Sequence, residues 1–384
     1  MNNTKYQRCT KGLWDTTISG ITFDEKGVSN YCKMQEALME MYPKGETGRK
    51  EWGDIVEKIK KEGRGKRYDC VVGVSGGTDS SYILHISKQY GLKPLAVNLD
   101  NGWSSDISVR NIKKVTEKLN IDLETYVINY EEVKIVLKSY LLAGLPWVDS
   151  PTDIAIKSAL YKIAAREGIK YVLNGADFRS EGKQPLLWTY SDSRQMNFLV
   201  RKTYNKRLKS FPSLTLFGWL YYGIIKRIKT IRPLYFLPYD KVMAKELLEK
   251  EYGWEYYGGH HHENVFTKFV ITYWLPAKFS IDKRIITLSA QILSGVLTRE
   301  EGLQQLSSPP YDQAHVEQDI QYVIKKLNLT KQEFNEAFSN KCKYYFDYPS
   351  YFPQIKKFSK VGKLLSQKIF GFQPGIFVAI DQEI

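Results

Sequence analysis

The chain has 384 residues, 43% hydrophobic and 26% charged, a balance that fills a sizeable core and excludes disordered, fibrous and collagen-like classes. Four scattered cysteines, Cys9, Cys32, Cys70 and Cys342, exclude a disulfide framework and fit a reducing cytoplasm, and the stretch from Met1 to Lys5 lacks the apolar region of a signal peptide. The formal charge of +14 is unevenly spread: between Asp192 and Asp240 there are ten Lys and Arg residues and no acid. A polyanion, a nucleotide's phosphates or an anionic membrane face all suit such a segment.

Residues 1–66 read as a leader and a connector. Thr22-Phe23-Asp24-Glu25-Lys26-Gly27, bracketed by Cys9 and Cys32, is a hairpin tip, and 36–66 place Trp52, Ile55, Val56 and Ile59 on one helical face. An α/β core follows over 67–240. Cys70–Val74 is a short apolar, β-branched run, the composition of a strand buried on both faces, and Asp79–Tyr90 is a helix stopped by Gly91. Further strands at Pro94–Leu99, Leu123–Ile128 and Tyr171–Leu173 alternate with helices at Ser105–Leu119 and Thr152–Glu167. That alternation predicts a doubly wound parallel sheet, with ligands beyond the C-terminal strand ends near its switch point.

Three polar loops sit at those strand ends: Ser75–Ser80, Asp100–Trp103 and Asn174–Asp177. In the first, Ser75, Gly76, Gly77, Thr78, Asp79 and Ser80 stop a strand and start a helix, so backbone N–H groups converge where the helix terminus favours negative charge. This is a phosphate cradle, but not a Walker A loop, because no G-x-x-x-x-G-K-[ST] occurs. Asp79 and Asp177 are candidates for holding Mg²⁺ against phosphates, with helix capping as the alternative for either. Asp100 and Asn101 suit a ribose or base, or are turn residues; Gly175 lies in the third loop.

Leu214–Ile225 is the apolar middle of the basic interval and is shorter than the ~20 residues of a spanning helix. A buried or partly buried helix is the default reading, and an in-plane membrane helix with a basic rim is the alternative. Residues 241–384 form a helical, basic region with a helix at Lys245–Tyr252, capping boxes at Thr298/Glu301 and Thr330/Glu333, and an irregular tail over 341–384. Adjacent His260, His261 and His262 resemble a metal site, yet consecutive side chains diverge, so a polar loop facing substrate or plain surface are the other readings. His261 and Lys268 join Asp79 and Asp177 as candidate catalytic groups. Trp103, His260, His262, Lys278 and Arg284 are candidate substrate contacts, and Lys268, Lys278, Lys283 and Arg284 together suit a diphosphate or form a solvated face.

Ser75-Gly76-Gly77-Thr78-Asp79-Ser80 resembles the PP-loop of the N-type ATP pyrophosphatases. With Thr22–Gly27, Asp100-Asn101-Gly102-Trp103, the block Tyr257–Glu263, Leu275-Pro276-Ala277-Lys278-Phe279 and Asp282-Lys283-Arg284, the chain resembles the bacterial N-acetyl sugar amidotransferases. The resemblance implies the adenine nucleotide α-hydrolase-like fold, ATP and Mg²⁺, and conversion of an acetamido group to an acetamidino group on a nucleotide-activated or nonulosonic sugar for lipopolysaccharide O-antigen. It implies a separate glutaminase and a cyclase-like subunit that channels ammonia. The family's leader commonly carries C-x-x-C twice, a zinc-ribbon spacing; here the partner positions are Gly12 and Ser29, so the ribbon's shape is expected without its metal.

An amide carbonyl is a poor electrophile, and adenylating its oxygen gives ammonia a carbon to attack and AMP a way to leave. No activated cysteine–histidine pair is evident to release ammonia from glutamine, since Cys70 lies in a predicted buried strand and Cys342 in the tail. A partner glutaminase is therefore expected on chemistry as well. The localisation expected is cytoplasmic, with peripheral contact to an anionic membrane as an option. The alternatives are a tRNA-modifying PP-loop enzyme that adenylates a base carbonyl, for which the basic interval speaks although nucleic acid is the less favoured partner, and a non-enzymatic scaffold at the membrane surface.

Overall fold

Strand β1 (Cys70–Val74) lies at the centre of a five-stranded parallel sheet. β2 (Pro94–Asp100), β3 (Leu123–Val127), β4 (Tyr171–Leu173) and β5 (Lys229–Ile231) complete it in the order β3-β2-β1-β4-β5. The chain builds outward from β1 on one side and then crosses back to lay β4 against its other edge, with Val71 opposite Val172. The switch point therefore falls between β1 and β4, where the loops after the two strands face one crevice. The computed structural model describes residues 5–259, 262–310, 313–360 and 362–364. His260, His261 and the tail beyond residue 364 lie outside that description.

Helices α1 (Asn30–Met41) and α2 (Glu46–Glu62) precede the sheet, and α3 (Thr78–Gln89), α4 (Asp106–Leu119), α5 (Tyr130–Leu142) and α6 (Ser150–Arg166) follow its strands. β1 is apolar at every position because both its faces are covered. Cys70, Val72 and Val74 pack with Ile83 and Leu84 of α3, Ile112 and Val115 of α4 and Trp52 and Ile59 of α2. Val71 instead joins Leu160, Ile163 and Ala164 of α6. This is the doubly wound arrangement expected, and the capping boxes at Thr298 and Thr330 also form.

A third body of core binds the leader to the C-terminal helices. Leu13, Trp14 and Cys32 pack in one cluster with Val136 and Tyr140 of α5 and with Phe266, Phe269, Trp274 and Ile286. The Leu13 N–H donates to Ser289 Oγ at 2.8 Å, and Gln35 Nε2 to the Phe178 carbonyl at 2.9 Å. The segments 1–66, 67–240 and 241–384 thus share packing throughout.

The leader keeps a ribbon-like path through antiparallel bridges between Arg8 and Asp15 and between Phe23 and Ser29. Asp24 closes the hairpin tip by accepting from the Lys26 and Val28 N–H groups. The residues present do not fit zinc. A Cβ at Gly12 would stand 2.6 Å from the Trp14 ring, and Ser29 caps α1 while its N–H donates to Cys9 Sγ at 3.3 Å. Cys9 and Cys32 are both buried, and the hydrogen bond between them draws Cys9 down and pushes Cys32 up.

Other expectations change. Helix α5 and edge strand β5 have no counterpart in the sequence reading: α5 is at least half-buried at every position but Glu131 although it carries four charged residues, and β5 is three residues of the basic interval recruited by pairing to β4. The apolar middle of that interval, with Leu214 buried, is helical over Leu216–Leu220 and continues as a π-helix over Tyr221–Ile225, and within these two helices no residue is fully buried. Among the described residues no helix is long and apolar enough to cross a membrane. Trp103 is fully buried, packed on Phe266 and Tyr322 with the Lys326 ammonium 4.8 Å over its ring, so it offers no face to a substrate. Trp103→Ala should lower the unfolding free energy by about 3–5 kcal/mol in urea denaturation. Wild-type stability would return the ring to the surface.

Candidate active site

The cradle forms because β1 ends where two glycines follow. Gly76 has φ +78°, and a Cβ there would overlap the Ser108 carbonyl; Gly77 is extended and leads into α3 with no side-chain cap. The first N–H groups of α3 are therefore left to weak partners. Gly77 N–H reaches Ser75 Oγ at 3.3 Å, Thr78 N–H reaches the Tyr257 hydroxyl at 3.3 Å, and Ser75 N–H reaches Ser80 Oγ at 3.2 Å. All lie at or beyond the long end of the hydrogen-bond range, so an anion can replace them at small cost.

A strap crosses this turn. Trp254 Nε1 donates to the Gly76 carbonyl at 3.0 Å, and Asn111 exchanges hydrogen bonds with the Glu255 backbone, both at 2.8 Å. Ser105 N–H binds the Glu263 carbonyl at 2.9 Å and Val265 N–H the Trp103 carbonyl at 2.9 Å. Glu263 Oε1 and the Tyr257 hydroxyl come so close that a Cβ on Gly77 would stand 3.2 Å from each. Tyr257 and Glu263 thus close over the cradle. His262 folds back on Gly259, where a Cβ would meet its ring.

Asp79, in the first turn of α3, accepts from the Tyr239 hydroxyl and, at 3.1 Å, from Lys241 Nζ. Burial lowers the Lys241 pKa, but Asp79 and Glu181 raise it by more, so the ammonium keeps its charge. Burial and the neighbouring Asp79 push the Tyr239 phenol far up, fixing it as a donor. Gly175 packs on this turn: a Cβ there would stand 2.9 Å from the Asp79 carbonyl carbon, so it sets the spacing of the two loops.

A second cationic cluster involves the start of α6. The Lys283 ammonium lies 4.0 Å over Trp147, whose indole N–H donates to Asp153 at 2.8 Å. Burial draws Lys283 down to about 8, against the pull of Asp153, Glu181 and Asp149. The exposed Lys157 ammonium lies 4.6 Å over Trp219. Glu181 acts on both Lys241 and Lys283, so the cluster and the cradle share one electrostatic neighbourhood.

The other candidates have structural work. Asp177 is 2% exposed and caps the turn Phe178–Glu181, accepting from Arg179 N–H and Ser180 N–H; burial raises its pKa. It is the cap, not a free metal ligand. Asp100 Oδ1 accepts from Gly102 N–H, and Asn101 bridges Trp103 N–H and Thr152 Oγ1, both as turn residues. Lys268 pairs with Asp319 at 2.7 Å. Lys278 Nζ donates to the Phe338 and Asn340 carbonyls at the end of helix Lys331–Ser339. Arg284 holds Asp282 at 2.7 Å and the carbonyls of Gln305 and Ser308 at 3.1 and 2.9 Å.

The structure thus brings Ser75–Ser80 and Gly175 together and sets Tyr239, Lys241, Tyr257 and Glu263 against them, with Lys283 linked to this group through Glu181. Nothing in the local pattern marks Tyr239 or Lys241, whose role follows only from the path after β5. Arg284→Ala should lower stability by about 2–3 kcal/mol, read as an earlier urea midpoint. An unchanged midpoint with weakened substrate binding would restore Arg284 to the site.

Residues 263–361 match the family model described as "LPS biosynthesis protein WbpG-like, C-terminal domain". No curated protein matches the chain significantly. Among solved structures, the chain is similar to NMN synthetase from Francisella tularensis, at 13% identity, covering 74% of this chain and 95% of that one with a TM-score of 0.31. It is similar to NH3-dependent NAD synthetase from Campylobacter jejuni, at 13% identity, 73% and 94% coverage and a TM-score of 0.29. It is also similar to the U34-tRNA thiolase NcsA from Methanococcus maripaludis, at 16% identity, 76% and 88% coverage and a TM-score of 0.29. Behind the sheet and its cradle, then, the chain carries a C-terminal region matched by the WbpG-like lipopolysaccharide-biosynthesis family.

Proposed function

We propose that the chain is an ATP-dependent, AMP-forming amidotransferase that converts an N-acetyl group of a nucleotide-activated or nonulosonic sugar to an acetamidino group during surface-polysaccharide synthesis in the cytoplasm. The observation that carries this reading is the Ser75–Ser80 turn at the switch point, closed by Trp254, Tyr257 and Glu263, the last at the start of the matched segment. A triphosphate fits the cradle, because its N–H groups have only weak partners within the chain. Mg²⁺ needs only one or two protein carboxylates beside phosphate oxygens and water, and Asp79 is the residue for it; the ion would neutralise charge on the departing pyrophosphate.

The amide oxygen of the substrate attacks the α-phosphorus and pyrophosphate departs, leaving AMP on that oxygen. Ammonia adds to the former carbonyl carbon and loses a proton, AMP leaves with the oxygen, and an amidine remains. In this scheme the cradle N–H groups hold the pyrophosphate, and Lys241 and Tyr239 fix Asp79. Lys283 and Lys157 offer cations to the carboxylate or diphosphate of the sugar. Ammonia comes from a separate glutaminase through a cyclase-like subunit. Burial pushes the Cys70 thiol far up, and Cys342 Sγ contacts the Lys278 carbonyl at 3.4 Å, so neither suits a glutamine-attacking nucleophile.

With ATP, ammonium and a nucleotide-activated acetamido sugar, the products should be AMP and pyrophosphate, resolved by anion-exchange chromatography; ADP would overturn the reading. tRNA-dependent AMP release without sugar would support a tRNA-modifying enzyme instead, the reading favoured by exposed Arg201, Lys202, Lys206 and Arg207. Tyr257→Phe removes the hydroxyl resting on Thr78 N–H, so ATP should bind up to about tenfold more tightly by calorimetry. Weaker binding would make that hydroxyl a nucleotide contact. Lys283 is cationic below about pH 8 and neutral above it, so the KM for an anionic sugar should rise as pH passes 8. Lys283→Arg should carry the low KM to higher pH.

A further inference from the structure

The segment Leu216–Ile225 stands on the surface as a rib between two buried anchors, Leu214 and Ile228. Phe217, Leu220, Tyr221, Ile224 and Ile225 recur at i, i+3, i+4, i+7 and i+8, the spacing of one helical stripe. In a solvated helix that stripe would face the core. Here it faces outward: Phe217 is 82% and Ile225 68% exposed, and the other three are all above 40%. The opposite side is the one that packs, with Trp219 and Tyr222 edge-on to Tyr161 of α6 at 5.8 and 6.1 Å.

Cations border this stripe. Lys226, 5.7 Å over the Tyr221 ring, and Arg227 follow Ile225 directly and are exposed; Lys206, Arg207 and Lys209, earlier in the chain, are exposed too. No acidic residue interrupts 193–239. We infer that this rib docks in the plane of an anionic lipid bilayer, its apolar stripe in the headgroup boundary and its lysines and arginines on the lipid phosphates. The rib is roughly 15 Å long, too short to span but suited to lying flat. A protein-binding surface is depleted in lysine at its core, and a nucleic acid has no use for an aliphatic stripe, so lipid fits the combination best. Lys157 rests on the inner ring Trp219, and Asp153 acts on both Lys157 and Lys283. Docking would therefore bring the mouth of the cationic cluster to the membrane surface, whatever reaction is performed there.

The test is co-sedimentation of the full chain with vesicles of phosphatidylcholine alone or containing about a third phosphatidylserine. The wild type should pellet with the anionic vesicles only. Lys226→Gln with Arg227→Gln should weaken partitioning about thirtyfold, and Phe217→Ser with Ile225→Ser should abolish it, both with unchanged thermal midpoints because these side chains are exposed. Wild type remaining in the supernatant with both vesicle types would overturn the proposal. So would equal binding to both. So would a dimer in light scattering that Phe217→Ser with Ile225→Ser makes monomeric, which would assign the rib to a second copy. Failure here leaves AMP formation in solution untouched, so the two readings fall separately.

Discussion

The structure depends on one close approach: the backbone of Gly76 against the carbonyl of Ser108. Only a residue without a Cβ, at positive φ, lets β1 turn into α3 at this depth. Because the turn is that tight, the first N–H groups of α3 point into the crevice and find no strong partner in the chain. Gly175 applies the same constraint from the neighbouring strand, pressing the β4 loop onto the Asp79 backbone. Two glycines on adjacent parallel strands thus set the width of the site.

Charge then follows geometry. Asp79 is carried into a half-buried position, where an uncompensated carboxylate would be costly. The chain supplies Tyr239 and Lys241 from beyond β5, and Lys241 in turn feels Glu181. Glu181 also acts on Lys283, which lies on Trp147. A run of alternating charges therefore links the phosphate cradle to the cationic cluster. A change at one end alters the charge balance at the other, although the residues come from four distant parts of the sequence.

This explains which features could be read from the sequence. β1 and its turn are local: five apolar residues, two glycines and a helix start fall within eleven positions, and each signal agrees with the next. The alternation of strands and helices is likewise local, and it placed the sheet correctly. Asp177 looked like a metal ligand because a carboxylate after a strand suits one, but its oxygens cap a single turn. Lys278 and Arg284 looked free because the carbonyls they hold lie about 60 and 20 residues downstream, at helix ends no local pattern reveals. Lys241 was invisible for the converse reason: its partner is 162 residues upstream. The apolar stretch Leu214–Ile225 was legible as a helix, but helical spacing alone gives a face and not its direction.

The leader is held in shape by its own packing and by the C-terminal helices. A structural zinc supplies folding energy to a segment too small for its own core. Here Trp14 occupies the space beside Gly12, Ser29 caps α1, and the two remaining thiols hydrogen-bond each other. Contacts with the C-terminal helices hold it: Leu13 N–H on Ser289, the Arg299 guanidinium on the Cys9 carbonyl, and Gly12 against Ser289. The leader is thereby tied to the helix Arg284–Leu293. That helix begins where Asp282, Lys283 and Arg284 are fixed, so the packing of the leader bears on the position of Lys283 and, through it, on the cationic side of the cleft.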